Sequence, residues 1–373
     1  MIPPSQRLDP NDPELGSQIA QIPNCRGIYR LTPETGIPYL GWSDYLSKRL
    51  ARLLLNTNQT SNLLTNLRNR LRKVEYWLTG SRLESSLLLY YLSVSHDPDG
   101  YRRRLKLRPA WFVTLLLGDT FPRLSVRNKI ARHPNRSYGP FRNRETAETF
   151  QKGIETLFQV RRCTESLAPA EDHPGCIYGE MNLCLRPCQL AVSVEEYGTE
   201  VNRVRDFLDT RGKHSLHVLM TSRDRASENT EFEEAAMLHK ELEKVKSVLT
   251  FQDEIVTEVD SLNGVALTKG ANDRTVVLWP MVSGCWHPPL RLEFPGQQLE
   301  TRSLDQFLRE KLTHHIAPAT RPANRVDEIA VLARWYYSSR RDGEWFAFHD
   351  ISDLNLRKLV RNISKLLRDD LQS

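Results

Sequence analysis

Apolar residues alternate with polar ones in some stretches of the chain and recur every three or four residues in others. RGIYRLT and PYLGW alternate around a Pro33–Pro38 turn and read as two strands. Ser43 or Asp44 can cap a helix running to about Leu55. The spacing predicts a further helix over roughly Ser61–Arg72 and a strand at VEYWLT. Ser81-Arg82-Leu83-Glu84 is a capping-box pattern ahead of the run LLLYYL. WFVTLLLGDTFPRLSV reads as a hairpin. RNRETAETFQKGIETLF reads as a helix with Ala147, Phe150, Ile154 and Leu157 on one face. Ser193-x-x-Glu196 opens another helix, with Tyr197, Val201, Val204 and Leu208 apolar, which Gly212 interrupts. A second amphipathic helix carries Phe232, Ala235, Ala236, Leu242, Val245 and Leu249, so that the two suggest a helical hairpin. Past Phe251, the Asn263-Gly264 turn and the runs TVVLW and LRLEF signal strands. Helices are expected after Ser303, over DEIAVLARWYY and from Ser352 to Leu367.

This order predicts an α/β (α+β) protein with four regions. Residues 20–105 form a small domain with a central mixed sheet and flanking helices. Residues 106–192 form a linker hairpin, a helix and a Cys-rich segment. Residues 193–250 are the helical hairpin, and residues 251–373 a C-terminal α+β unit. Residues 1–22, Pro-rich and polar, read as a loose lead-in.

A length of 373 residues suits several domains, and 39% hydrophobic with 26% charged residues is ordinary for a globular chain. The opening residues contain no apolar signal core, and the longest apolar run, near Leu87–Leu92, is too short to span a bilayer. A cytoplasmic location is expected. Charge is unevenly placed: residues 101–144 hold twelve Lys/Arg against one acid, Asp119. With Arg68, Arg70, Arg72 and Lys73 nearby, the residues Arg102, Arg103 and Arg104 make nucleic acid the simplest partner, a solvated basic face being the alternative.

Two Gly/Tyr clusters then draw attention. Gly27-Ile28-Tyr29 and Tyr39-Leu40-Gly41 are followed by Lys48-Arg49-Leu50, and Glu84 opens S-R-L-E-S-S-L-L-L. These residues, in this order, resemble the GIY-YIG nuclease superfamily and most of all the N-terminal half of the UvrC family. Phosphodiester hydrolysis needs a base, positive charge on the phosphorane and a metal ion. The resemblance implies that Tyr29 is the base, that Tyr39 supports it, that Arg49 steadies the phosphate and that Glu84 holds Mg²⁺ or Mn²⁺. Two departures stand out. Trp42 occupies the place of a family lysine that helps the phenolate form. Pro98-Asp99-Gly100-Tyr101-Arg102 replaces a P-x-Y-N pattern that carries a site asparagine.

Four of the six cysteines read Cys163-x12-Cys176-x7-Cys184-x3-Cys188, a metal-ligand set suited to zinc or to iron–sulfur. The family has R-x-C, R-P-C and G-R-C-x-x-P-C in this place and carries a cluster there, which implies [4Fe–4S], with zinc second. Tyr138-Gly139-Pro140-Phe141 matches the family's F-G-P-Y element. NTEFEEAAMLHKELEKVKSVL resembles the UVR motif, whose characteristic positions are Phe232, Ala235 and Ala236, and implies docking to a UvrB-like helicase subunit. No RNase H-like second nuclease is recognisable after it, as in the short Cho-type homologues. The resemblance thus implies an endonuclease of nucleotide excision repair and the SOS response. With its partner it would nick damaged double-stranded DNA near a lesion. The rival reading is a DNA-binding adaptor with a GIY-YIG fold and an iron–sulfur cluster but impaired catalysis.

Overall fold

A computed structural model describes residues 4–55, 68–294, 304–315 and 324–369. It is an α+β protein built on three antiparallel sheets. The first sheet has the order β1-β4-β2-β3, with β1 Gln6–Leu8, β2 Gly27–Pro33, β3 Tyr39–Ser43 and β4 Leu71–Leu78. The sequence predicts a mixed sheet here. Because β4 returns on the far side of β2 rather than beside β3, every neighbouring pair runs antiparallel. One face packs on α1 Leu15–Ala20 and α2 Leu46–Leu54, burying Leu15, Ile19, Leu46 and Leu50. The other packs Ile28, Leu40 and Trp77 on Leu88 and Leu92 of α3 Arg82–His96.

The lead-in is therefore not loose. Leu8, Leu15, Ile19 and Ile22 are spaced through polar and proline residues, yet all four are buried in the first core. Of the helix expected over Ser61–Arg72, residues 61–67 lie outside the described residues. Arg68–Arg70 make a single 3-10 turn, and β4 has begun by Leu71. Ser303, expected to cap a helix, is also outside them.

The second sheet, β6-β5-β7-β8, contains β5 Trp111–Leu115, β6 Leu124–Arg127, β7 Arg136–Phe141 and β8 Thr257–Glu258. It packs on α5 Arg144–Leu157, whose Ala147, Phe150 and Ile154 are buried as the spacing predicts. β8 follows the helical region, so the chain returns to close this sheet. The Cys-rich segment carries two short turns, α6 Ile177–Glu180 and a 3-10 turn over Pro187–Gln189 that holds Cys188.

Three helices follow: α7 Val194–Asp209, α8 Lys213–Glu228 and α9 Phe232–Leu249. The Ser193/Glu196 capping box forms at both bonds. Gly212 adopts φ +70° and breaks α7 from α8, a conformation that glycine takes without penalty. The hairpin is the α8/α9 pair, whereas the sequence pattern points to α7 and α9. α8 escapes notice because only Ala226 along it is fully buried.

The third sheet holds β9 Gly264–Lys269, β10 Thr275–Val282, β11 Cys285–Trp286, β12 Leu290–Glu293 and β13 Glu344–Ala347. Asn263-Gly264 marks the start of β9. α10 Leu304–His315 and α12 Leu356–Asp369 cover one face of this sheet. α11 Arg325–Tyr336 lies on the other and packs against α3, so that Leu83, Leu87 and Tyr90 share one core with Ile329, Leu332 and Trp335. No helix among the described residues is long and apolar enough to cross a membrane.

Candidate functional site

β2 and β3 place Tyr29 opposite Gly41. A Cβ on Gly41 would stand 2.5 Å from the Tyr29 ring, so the glycine lets that ring lie flat across the edge strand. Tyr29 is 1% exposed; Tyr39, its ring centroid 6.1 Å away, is 47% exposed. Arg49, on the first turn of α2, donates from Nε to the Tyr29 hydroxyl at 3.2 Å. Three of the predicted site residues thus meet. Burial pushes the Tyr29 phenol above its ordinary range, the Arg49 hydrogen bond opposing it. The site therefore does not favour phenolate in this arrangement.

Glu84 goes elsewhere. Its backbone N–H donates to the Ser81 hydroxyl at 3.1 Å, as in a capping box, but its carboxylate reaches past Ser81. Oε2 accepts from the Gly80 N–H at 2.8 Å, and Oε1 accepts from Arg291 of β12 at 2.5 Å. The side chain is 1% exposed. Neighbouring residues on a helix point about 100° apart, so Glu84 and the cleft-facing Ser85, Leu89 and Ser93 occupy different sides of α3. Glu84, with a guanidinium and an N–H already on its oxygens, does not fit the role of metal ligand that the resemblance implies.

The cleft beside Tyr29 has a volume of about 440 Å³. Arg26, Arg49, Arg82, Arg104, Lys106 and Arg334 line it, and among the described residues no Asp, Glu or His does. Trp42, 52% exposed, and Leu89 stand on the same wall. α11 closes the cleft with Val331, Arg334 and Trp335. The sequence reading misses these α11 residues and Lys106. The only signal was the run of basic residues around Lys106, because the approach of α11 depends on contacts across more than two hundred residues of chain.

The basic residues divide. Arg68 is spent on the backbone carbonyl of Pro10, Lys73 on Glu75 at 2.6 Å, and Arg104 on Asp97 at 3.0 Å. Arg102, in the place of the family asparagine, meets Asp327 of α11 at 3.0 Å. Arg70, Arg72 and Arg103 are exposed and make no ion pair with a described residue. They remain the members of the predicted DNA-binding set best placed for phosphates.

The four cysteines gather loosely. Burial chiefly raises the Cys184 and Cys188 thiols, and the other cysteine thiols of the set add to the rise in each. Arg161, buried and bonded to the Phe121 carbonyl at 2.7 Å, also reaches Cys163 Sγ at 3.7 Å. Four thiols are suitable chemistry for a soft metal. No group of three or more His, Cys, Asp or Glu among the described residues is arranged to hold a metal ion. On the hairpin, Phe232 is 69% exposed and Ala236 and Met237 are also exposed, while Ala235 is half-buried.

Comparison with known proteins agrees with this architecture. The family profile of the UvrC/Cho excinuclease middle domain matches residues 109–207, from just before β5 to within α7. UvrABC system protein C of Methanothermobacter thermautotrophicus is 26% identical over 357 residues, covering 93% of this chain and 59% of the relative. The protein of the same name from Alcanivorax borkumensis is 26% identical over 77% of this chain and 53% of its own length. That of Serratia proteamaculans is 30% identical over 62% of the chain and 38% of its own length. The chain thus spans about half the length of these relatives. No solved structure matches it. With the UvrC-type middle-domain profile matching at its centre and UvrC proteins aligned along most of its length, the chain is similar to the UvrC family.

Proposed function

We propose that this protein serves nucleotide excision repair as a DNA-holding subunit of the UvrC kind, whose GIY-YIG cleft grips a phosphodiester backbone without cutting it. One observation carries this reading: six cations and no carboxylate are among the described residues lining the cleft, and while Arg26, Arg82 and Arg104 already meet Asp44, Asp342 or Asp97, Arg49, Lys106 and Arg334 make no ion pair with a described residue. Guanidinium and ammonium groups around an open cavity attract phosphate, while hydrolysis also needs a ligand for the metal that carries the developing charge. When bound, a divalent ion would supply that charge; here Glu84 is committed to Gly80 and Arg291. Around the cleft, Arg70, Arg72 and Arg103 would hold the neighbouring phosphates. The exposed Phe232 and Met237 of α9 would dock an amphipathic helix of a UvrB-like subunit. Cys163, Cys176, Cys184 and Cys188 would hold a [4Fe–4S] cluster, or zinc, once drawn together by the metal.

Incision is the second reading, and the bond from Arg49 to the Tyr29 hydroxyl favours it, since that pair is what a tyrosine base requires. A nicking assay separates the two. Lesion-bearing duplex is incubated with Mg²⁺ or Mn²⁺, with and without a UvrB-like partner. The expected result is tight binding that falls steeply with salt, and no nick. A metal-dependent nick that Tyr29→Phe abolishes would overturn the holding reading in favour of incision.

A further inference from the structure

We infer that the cleft takes one unpaired nucleotide of DNA, its base against the exposed Trp42 ring of β3 and its phosphate among the cations, with α11 of the C-terminal unit supplying one wall. This deepens the DNA-holding reading and rests on it.

β3 is the edge strand of its sheet, so neither of its faces is fully covered. Tyr39 and Trp42 project from its opposite faces, Tyr39 beside Tyr29 and Trp42 on the α3 side, and Trp42 has 52% of its surface open, an unusual exposure for a large ring that serves only the core. Every base has a face that can stack on such a ring, so aromatic platforms hold single strands with little regard for sequence. Bases inside a duplex are stacked on one another and offer no free face. Next to the rings are cations without internal carboxylate partners. Arg49 meets the Tyr29 and Tyr39 hydroxyls, Lys106 makes no ion pair with a described residue, and Arg334 donates an N–H to the Leu105 carbonyl at 3.1 Å. A guanidinium has five N–H donors, so Arg334 retains donors for a phosphate.

Shape points the same way. The cavity of about 440 Å³ has room for one nucleotide, and α11 walls it with Val331 and Trp335. That wall is held in place: Trp335 is 4% exposed and donates to Asp342 at 3.2 Å, while Arg102 and Asp327 tie α4 Tyr101–Leu105 to α11. A partner that enters this cleft has to present a single nucleotide rather than a helical groove. Trp42 and Arg334 then decide which form of DNA is held, from two units far apart in sequence.

The test uses fluorescence anisotropy of the full chain with three labelled probes of equal length. These are a thymidine oligonucleotide, a blunt duplex, and a duplex with one unpaired base. The first and third are expected to bind about tenfold more tightly than the second. Trp42→Ala should weaken both by about five- to a hundredfold, the range a lost base–aromatic stack produces. Arg334→Ala should weaken both severalfold, and the blunt duplex should change less than twofold with either variant. Both side chains are exposed, so both variants should fold. Equal binding of all three probes, unaffected by either variant, would overturn the inference and leave the DNA-holding reading standing. A preference for unpaired DNA that survives both variants would place that preference outside this cleft and overturn the inference too. If no probe bound at any salt concentration, both readings would fall.

Discussion

Glu84 offers the sharpest test of how the first domain is assembled. Its carboxylate is 1% exposed and holds two partners, the Gly80 N–H at 2.8 Å and Arg291 at 2.5 Å. A hydrogen bond to a charged group contributes about 1.5–3 kcal/mol. Arg291 is 40% exposed, so water screens its side of the pair and its share is about 1 kcal/mol. Glu84→Ala removes both and should cost about 2–4 kcal/mol. Glu84→Gln keeps an acceptor for Gly80 and loses only the charge, for about 1–2 kcal/mol. Arg291→Ala leaves a buried carboxylate without its cation. That loss should be about 2–3 kcal/mol, less than for a pair buried on both sides. Urea unfolding of wild type, the two single variants Glu84→Gln and Arg291→Ala, and the double variant closes a cycle whose coupling should reach about 1 kcal/mol. A metal-ligand role leads to the opposite pattern. Mn²⁺ would then raise the melting temperature of wild type but not of Glu84→Gln. The structural account is refuted if both single variants stay within about 0.5 kcal/mol of wild type while the Mn²⁺ effect depends on Glu84.

Three further outcomes are expected. Gly41→Ala places a Cβ 2.5 Å from the Tyr29 ring and should destabilise the first domain by about 1–3 kcal/mol in thermal unfolding; an unchanged melting temperature would mean the ring has another place to go. Burial pushes the Glu328 carboxyl, which accepts from the Trp286 N–H at 2.8 Å, up to about 7 from its ordinary 4.5. The folded protein then keeps a proton that the unfolded chain has lost, so stability should fall as pH rises from about 4.5 to 7, by about 3 kcal/mol in all. Glu328→Gln should flatten that slope, and a slope that survives the change would locate the titration elsewhere. Anaerobically purified protein should be brown, with iron and sulfide near the amounts of one [4Fe–4S] cluster, and Cys188→Ala should bleach it; colourless folded protein with one zinc would keep the ligand set and change the metal.

Much of the local structure was legible. Alternation marked β2, β3 and β5, and the 3.6-residue rhythm placed α5, α7, α9 and α11 close to where they lie. These elements each bury one face, so their patterns are strong. α1 was hidden because two buried residues, Leu15 and Ile19, suffice for six residues of helix. α8 was hidden because almost none of it is covered. Of the site, Tyr29, Tyr39 and Arg49 could be found because a hairpin and the helix after it bring them together locally. Glu84 could not be placed, because one residue of helical rotation separates it from the cleft and its partner Arg291 arrives from β12.

The charges of the first domain that looked most available in the sequence are answered from the C-terminal unit. Arg26 meets Asp342 at 2.9 Å, Glu84 meets Arg291 at 2.5 Å and Arg102 meets Asp327 at 3.0 Å. Each pair joins a residue before 105 to one after 290. They surround a shared apolar core in which Leu83 and Leu87 of α3 pack with Ile329 and Leu332 of α11. Apolar burial supplies most of the attraction across such an interface, and partly exposed ion pairs add little to it. The Arg102–Asp327 pair fixes the position of α11, because a slip of one turn would leave Asp327 buried without its cation, while Arg291 holds β12 to α3 through Glu84. The position of α11 in turn brings Arg334 and Trp335 to the cleft rather than to solvent. The C-terminal contacts that occupy the Glu84 carboxylate thus accompany the one that walls the cleft with α11. On the holding reading proposed above, the loss of a metal ligand follows from how these two parts of the chain dock, beyond any single substituted residue.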